Sequence, residues 1–353
     1  MKHLRKINAF GLMAFGATLA LSSCCAIDED LSVCLAEYEA EYELHLITNE
    51  EPEIKRVLGD RTDIADALRQ HLSDLFSDYG RDLDLMFYGV EPGSPADHHE
   101  QHTMNASTYP CHVSLDVGNY DHVAVANGAG YEVNVTSDVV DSRHQALFSG
   151  RKHLDCPVYG RYSFHMNLYT ANSGAAIVLD PRTASFTDVK VLTTGFASSF
   201  EVRDSTYHFD RDYSVRSEQV NLSDTTSWLC YCATSYPSRE PAVIPEGDNG
   251  YDPIDFVITR SRIDVDEPYF IYKDCGENLW SYDCYVTMAD GTITRTVLSI
   301  RHPLRAGQLK IIRGYIDDQG VIRIYDQEVG TGVDLNWKPG NEYPDIPLGV
   351  KQY

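Results

Sequence analysis

From Glu37 to Leu46 apolar and polar residues alternate without a break: Tyr38, Ala40, Tyr42, Leu44 and Leu46 fall on one side, and Glu37, Glu39, Glu41, Glu43 and His45 on the other. A period of two marks a strand with one dry and one wet face. Between Asp63 and Tyr79 the period changes, because Ile64, Ala67, Leu68, Leu72, Leu75, Phe76 and Tyr79 recur at intervals of three and four. This predicts one amphipathic helix, capped near Thr62 or Asp63 and stopped at Gly80. Period two returns over residues 82–88, 111–117 and 131–135, and restarts at Tyr162, Phe164, Met166 and Leu168. Further strands are expected at 176–179, 185–192, 255–259, 281–288, 292–300, 308–316 and 321–325. Two stretches lack a clear pattern. Residues 141–159, with Gly150 and Pro157, are the best place for a domain boundary, and residues 221–252, rich in Ser, Thr, Pro and Gly, read as a long excursion from the sheet. Many short strands with one or few helices predict an all-β chain built of sandwiches. The absence of a short fixed repeat disfavours solenoids and propellers.

Composition narrows the function classes. A chain of 353 residues, 43% hydrophobic and 11% aromatic, has material for two real cores and is not globally disordered. Its 29 Lys+Arg face 53 Asp+Glu, and the net charge of −24 repels a phosphate backbone, so no nucleic-acid partner is expected. Nine cysteines suggest an oxidising compartment without dictating the fold.

The first residues set the expected location. Lys2, Arg5 and Lys6 precede an uncharged, mostly apolar run from Ile7 to Leu21, the pattern of a secretory signal over residues 1–23. At about 15 residues the run is shorter than the roughly 20 a membrane-crossing helix needs. Leu21-Ser22-Ser23-Cys24 resembles a bacterial lipobox, in which cleavage exposes a cysteine that is then acylated; Cys24 is the expected lipidation site. Asp28, Glu29 and Asp30 follow, making residues 24–35 an acidic tether that resembles the export signal of Bacteroidetes surface lipoproteins. Several acyl chains, at about 0.8 kcal/mol per buried methylene, hold a protein to outer-membrane lipid without any basic patch.

Chemistry-bearing motifs are sparse. His98-His99-Glu100-Gln101-His102 has two histidines at i to i+4, but Pro92, Gly93 and Pro95 argue against a zincin-type helix, and the segment is expected to be a solvated polar loop, not a metal site. Cys230-Tyr231-Cys232 is one residue short of a redox C-x-x-C. Disulfides are the structural use of the thiols: Cys275 with Cys284 closing a hairpin and Cys111 with Cys156 joining neighbouring strands are candidates, although spacing does not fix connectivity. No nucleophile elbow, P-loop or dinucleotide fingerprint occurs, so neither catalytic residues nor a cofactor are expected.

Three patches carry a family resemblance. The start, from Cys24 to Cys34 followed by an aromatic alternating strand, resembles the FimB-like fimbrial anchor subunits of Bacteroidales. Phe164 to Asn172 resembles the strand that opens that family's second half. Leu304-Arg305-Ala306-Gly307-Gln308, Gly320-Val321-Ile322 and the segment from Asp334 to Tyr343, with Trp337-Lys338-Pro339-Gly340, are similar to its closing hairpin and W-x-P-G segment. The tail departs from the pattern: Pro344, Pro347 and Gly349 suit an edge or a donated segment better than a central strand. The resemblance implies two tandem transthyretin-like Greek-key β-sandwich domains, over residues 36–155 and 156–353. It implies a lipid anchor at Cys24 and a role at the base of a fimbrium, with possible control of its length. The partner implied is a fimbrial shaft subunit, joined by strand donation. The rival is a surface or fimbrial-tip lipoprotein that binds glycan or another host ligand, favoured by an aromatic-lined cleft on an outer sheet face.

Cys24→Ala is expected to release the protein from the membrane fraction and to abolish uptake of labelled fatty acid; label entering the variant would place the anchor elsewhere.

Overall fold

The computed structural model describes residues 35–90, 96–130, 139–156, 160–210, 213–240, 258–262, 279–300 and 303–325. The protein is all-β, with two α-helices among the described residues. Its first sheet is formed by β1 (Leu35–His45), β2 (Gly80–Gly89), β3 (His98–Ala106), β4 (Thr108–Asp116), β5 (Gly118–Ala126), β7 (Phe148–Cys156) and β8 (Gly160–Thr170); the short β6 (Val139–Asp141) lies elsewhere. The strand order is β3-β2-β5-β7-β8-β1-β4. This strip folds into two layers. Tyr42 of β1 reaches His122 of β5, although neither strand neighbours the other within the sheet, and the inward residues of both layers share one core with Leu83, Leu85, Phe87, Tyr120, Val113 and Leu168. The layers join at two corners: β3 runs into β4 through Ser107, and β7 meets β8 at Phe148↔Thr170 and Ser149↔Tyr169.

The second sandwich uses β9 (Ser173–Asp180), β10 (Phe186–Thr194), β13 (Ser214–Arg216), β14 (Glu218–Gln219), β15 (Leu229–Ser235), β16 (Ile258–Arg262), β17 (Trp280–Met288), β18 (Ile293–Ile300), β19 (Leu309–Ile316) and β20 (Ile322–Ile324), while β11 (Ser199–Glu201) and β12 (Thr206–His208) form a separate two-stranded hairpin. A sheet ordered β16-β18-β17-β10-β13-β6 faces one ordered β14-β15-β9-β19-β20, and Trp280, Tyr282, Val191, Ile177, Ile312 and Leu298 fill the space between. The pairing runs across the division drawn at residue 156. β8 belongs to the first sheet, where it pairs in parallel with β1, whereas β6 joins the second sandwich beside β13.

The helical region also differs from expectation. Two helices form, α1 (Glu50–Leu58) and α2 (Thr62–Leu72), and they leave the first sandwich to lie on the outer face of β15, β9 and β19. Ile54, Leu58, Ile64, Leu68 and Leu72 pack there on Ala176, Val178, Cys230, Cys232, Leu309 and Ile311. α2 ends at Leu72, well before Gly80: the Asp74 carbonyl accepts a bond from the Ala146 N–H at 3.0 Å instead of serving a further helical turn, and Tyr79 is exposed. Because the helices cover its outer side, β9 is buried on both faces from Ser173 to Leu179 and shows a continuous apolar run instead of alternation. β15, inside the stretch expected to be an excursion, is a central strand for the same reason.

Gly307, in the Leu304-Arg305-Ala306-Gly307-Gln308 segment, is required by geometry. Its φ is +75°, a Cβ there would collide with the Ile47 carbonyl oxygen, and its N–H donates to the Asn172 carbonyl at 2.7 Å. Gly291 has φ +84° with nothing within 4 Å of a Cβ. Gly291→Ala is expected to cost about 1 kcal/mol from backbone strain alone, and Gly307→Ala more than about 2 kcal/mol, because strain and a backbone clash add. Equal losses in urea unfolding would contradict the close approach.

Candidate functional site

β1 starts at Leu35, eleven positions after Cys24 in the sequence, and is held on both sides. It pairs in parallel with β8 over ten positions, from Ala36↔Gly160 to His45↔Tyr169, and antiparallel with β4 over nine, from Leu35↔Asp116 to Glu43↔Thr108. Its alternation is as expected: Ala36, Tyr38, Ala40, Tyr42 and Leu44 are buried, while Glu37, Glu39 and Glu41 are exposed. The wet face carries a row of carboxylates met by Arg161 and His165 of β8. Arg161 Nε lies 3.3 Å from Glu37, and His165 lies 3.3 Å from both Glu41 and Glu43. Such exposed pairs contribute little to stability and hold the row in water-screened balance.

On the dry face Tyr42 and His122 tie β1 to the opposite layer. The His122 Nδ1–H donates to the Met86 carbonyl at 3.0 Å, so Nε2 accepts the Tyr42 hydroxyl at 2.8 Å; the ring stacks on Phe87 at 4.0 Å. Burial raises Tyr42 well above the usual phenol range and lowers His122 to about 4, so both stay neutral near pH 7. The pair acts as a fixed neutral hydrogen bond in an apolar setting, not as an acid–base couple.

The segment from His98 to His102 is not a loop but β3, an outer strand of the first sheet. Its inward positions are polar: His98 Nε2 and His102 Nε2 lie 2.8 and 2.9 Å from the two oxygens of Glu100, and the Tyr109 hydroxyl approaches His102 Nδ1 at 3.4 Å. One carboxylate thus takes up both imidazoles.

Cys111 and Cys284 are free thiols, Cys111 half-buried on β4 and Cys284 buried between the two sheets of the second sandwich. Cys156 ends β7, which is not a sheet neighbour of β4; its side chain, with Cys24 and Cys275, lies outside the described residues. Trp337 and the rest of the W-x-P-G segment also lie outside them. Cys230 and Cys232 are buried on one face of β15 beneath the helices. Burial raises Cys111 to about 11 and Cys230 to about 12, and lifts Cys232 and Cys284 well above the ordinary thiol value, so these sulfurs stay protonated and unreactive.

The described sheet edges differ in what they offer a partner. β4 carries Pro110 and β3 its histidines, both features that blunt an edge. The first half of the β19 edge is occupied by α1: Asn49 accepts the Leu309 N–H at 2.7 Å and donates to its carbonyl at 3.1 Å, and Glu53 accepts the Ile311 N–H at 2.9 Å. Glu53 is in turn held by Arg56 at 2.7 Å. β8 contains no proline, and among the described residues its ladder with β7 is confined to Tyr169 and Thr170; its inward Phe164 is only half-buried. An aromatic pair on the second sandwich, Tyr315 and Tyr325, is covered by Arg182 at 3.3 Å from the Tyr315 ring.

No protein-family profile and no curated protein matches the chain. Solved structures with a similar course include a candidate adhesin from Bacteroides ovatus, at 8% identity and a TM-score of 0.47 over 80% of this chain and 93% of that one. The fimbrial anchor protein Mfa2 from Porphyromonas gingivalis aligns at 10% identity and a TM-score of 0.40, covering 81% and 95%. The tip fimbrial protein Mfa3 of the same organism, with a C-terminal truncation, aligns at 8% and 0.38, covering 80% and 95%. At these scores the likenesses lend no weight to a functional assignment.

Because His122 is depressed to about 4 in the folded chain against an ordinary 6.5, the unfolded chain takes up the proton first. The linked stability is complete above pH 6.5 and is lost as pH falls toward 4, by up to about 3 kcal/mol. His122→Gln should flatten that part of the pH dependence in urea unfolding. An unchanged slope would contradict a buried neutral imidazole.

Proposed function

We propose that this chain is a surface lipoprotein that holds a fimbrium to the outer membrane. Acyl chains on Cys24 fix one end, and main-chain pairing with a strand of the first shaft subunit holds the other. The observation that carries this reading is the placement of β1. The strand nearest the candidate anchor is not an edge that could peel away but the central member of β8-β1-β4, paired on both sides along nearly its full length. Tension applied through the tether acts along β1 and loads its hydrogen bonds together, in shear.

β8 is the described edge best suited to receive a partner strand. Beyond its short ladder with β7 it has no proline, and Phe164 offers an apolar contact to a donated side chain. The reading gives the sandwich a mechanical task, and a glycan platform finds less support, since the Tyr315–Tyr325 pair is already stacked by Arg182.

Deletion of the gene, with imaging of the cell surface, is expected to yield fimbriae that detach or change in length; attached fimbriae of normal length would defeat the anchor reading. Ser163→Cys, on the exposed face of β8, should give a disulfide-linked adduct with a shaft subunit carrying cysteine in its donated segment. Adducts formed equally well from a cysteine at exposed Thr187, on β10, would remove β8 as the acceptor.

A further inference from the structure

The fold brings together three residues whose chemistry the fimbrial reading does not use. His71 stands near the end of α2, His144 lies in the connection between β6 and β7, and Glu218 opens β14. One ligand atom from each falls within 4.8 Å of the others. The two imidazole rings meet edge to face, with centroids 4.6 Å apart at 74°. His144 Nε2 lies 2.9 Å from a Glu218 oxygen, outside hydrogen-bond geometry. His71 Nε2 and both ring nitrogens of His144 are buried without a hydrogen-bond partner. Buried polar atoms are nearly always satisfied, so two imidazoles with unpartnered nitrogens, each offering one ligand atom beside a carboxylate, call for a ligand.

We propose that His71, His144 and Glu218 bind a divalent transition-metal ion, with zinc the best fit. Neutral imidazole nitrogens select borderline metals over calcium or magnesium, and two histidines with one carboxylate form a standard three-ligand set that water completes to a tetrahedron. Ligand atoms about 2.0–2.1 Å from a tetrahedral zinc sit about 3.4 Å apart, so only a small side-chain adjustment separates the present arrangement from a coordinated one. The half-exposed Glu218 leaves a path for the ion and its water.

The backbone under the ligands is already fixed. The Arg143 N–H donates to the Thr234 carbonyl at 3.2 Å, and Thr234 Oγ1 donates back to the Arg143 carbonyl. Ser142 Oγ donates to the Arg216 carbonyl at 2.7 Å, and the Ala146 N–H donates to the Asp74 carbonyl just beyond α2. Glu218 is placed by pairing with Cys232 of β15. The ion would therefore pin the helical pair and the connection between β6 and β7 to the edge of the second sandwich. This assignment stands independently of any role in a fimbrium.

Glu43, His45 and His165, of which only His165 is exposed, have ligand atoms equally close and include one unpartnered nitrogen, His45 Nε2; this trio serves as the internal control. There His165 Nε2 already donates to Asn167 at 2.7 Å. The mature chain, stripped with chelator and titrated with zinc, is expected to retain one equivalent after dialysis, measured by elemental analysis, and to unfold a few degrees higher. His144→Gln and Glu218→Gln should each weaken zinc binding by about tenfold or more and abolish the thermal shift. His165→Gln should leave both unchanged. Circular dichroism identifies any variant that fails to fold, and Glu218→Gln, a surface change, keeps the test open if His144→Gln does so. Absence of retained zinc in the wild type, or its loss in His165→Gln alone, would overturn the assignment.

Discussion

The architecture depends on one requirement: the sheet β14-β15-β9-β19-β20 is apolar on both faces, and each face must be covered. Its inner face meets the partner sheet of the second sandwich. Its outer face is closed by α1 and α2, which the chain supplies from between β1 and β2 of the first sandwich. Burial of Leu and Ile side chains contributes about 1.5–3 kcal/mol each, so Ile54, Leu58, Ile64, Leu68 and Leu72 make this excursion a major part of the fold's stability. α1 also finishes the sheet laterally, because Asn49 is spent on the β19 edge instead of capping its own helix.

That requirement makes the two sandwiches interdependent. β6 extends the second sandwich from a position in the chain between two strands of the first. In return, the β11–β12 hairpin packs Phe200 and Tyr207 over Val123 and Val125 on the outer side of β5, and the Tyr207 hydroxyl donates to the Ala171 carbonyl at 2.7 Å. A pull on β1 therefore reaches a clamped strand, the opposite layer through Tyr42 and His122, and the helices that follow Thr48. Stability is distributed across the junction, not confined to each sandwich.

What could be read from the sequence follows the number of buried faces. β1 is plain because one face is wet; β9 and β15 are obscure because neither is. β3 reads as a loop because its inward positions are His98, Glu100 and His102, whose polarity is satisfied by one another, a condition that spacing does not reveal. α1 offers only Ile54, Val57 and Leu58 behind an acidic first turn, too short a pattern to distinguish from a turn. The restart of period two at Tyr162 marks the return strand of a hairpin, which looks the same along the chain as the opening of a new domain. His71, His144 and Glu218 share no local motif, and only the packing of α2 against the second sandwich brings them together. Gly307, by contrast, announces itself within its segment and proves to be a position where no side chain fits.

Under the proposed anchoring, force entering near Cys24 meets a strand loaded in shear. Single-molecule extension of the mature chain, held at the tether and at Asp318 in the turn between β19 and β20, tests this directly, since forced unfolding reports the barrier to rupture and not the equilibrium stability. Rupture of the first sandwich is expected to need a markedly higher force along this axis than when the same sandwich is pulled across its strands from Ser114 and Ser163. Comparable forces in the two geometries, or early release of β1 at low force, would contradict it.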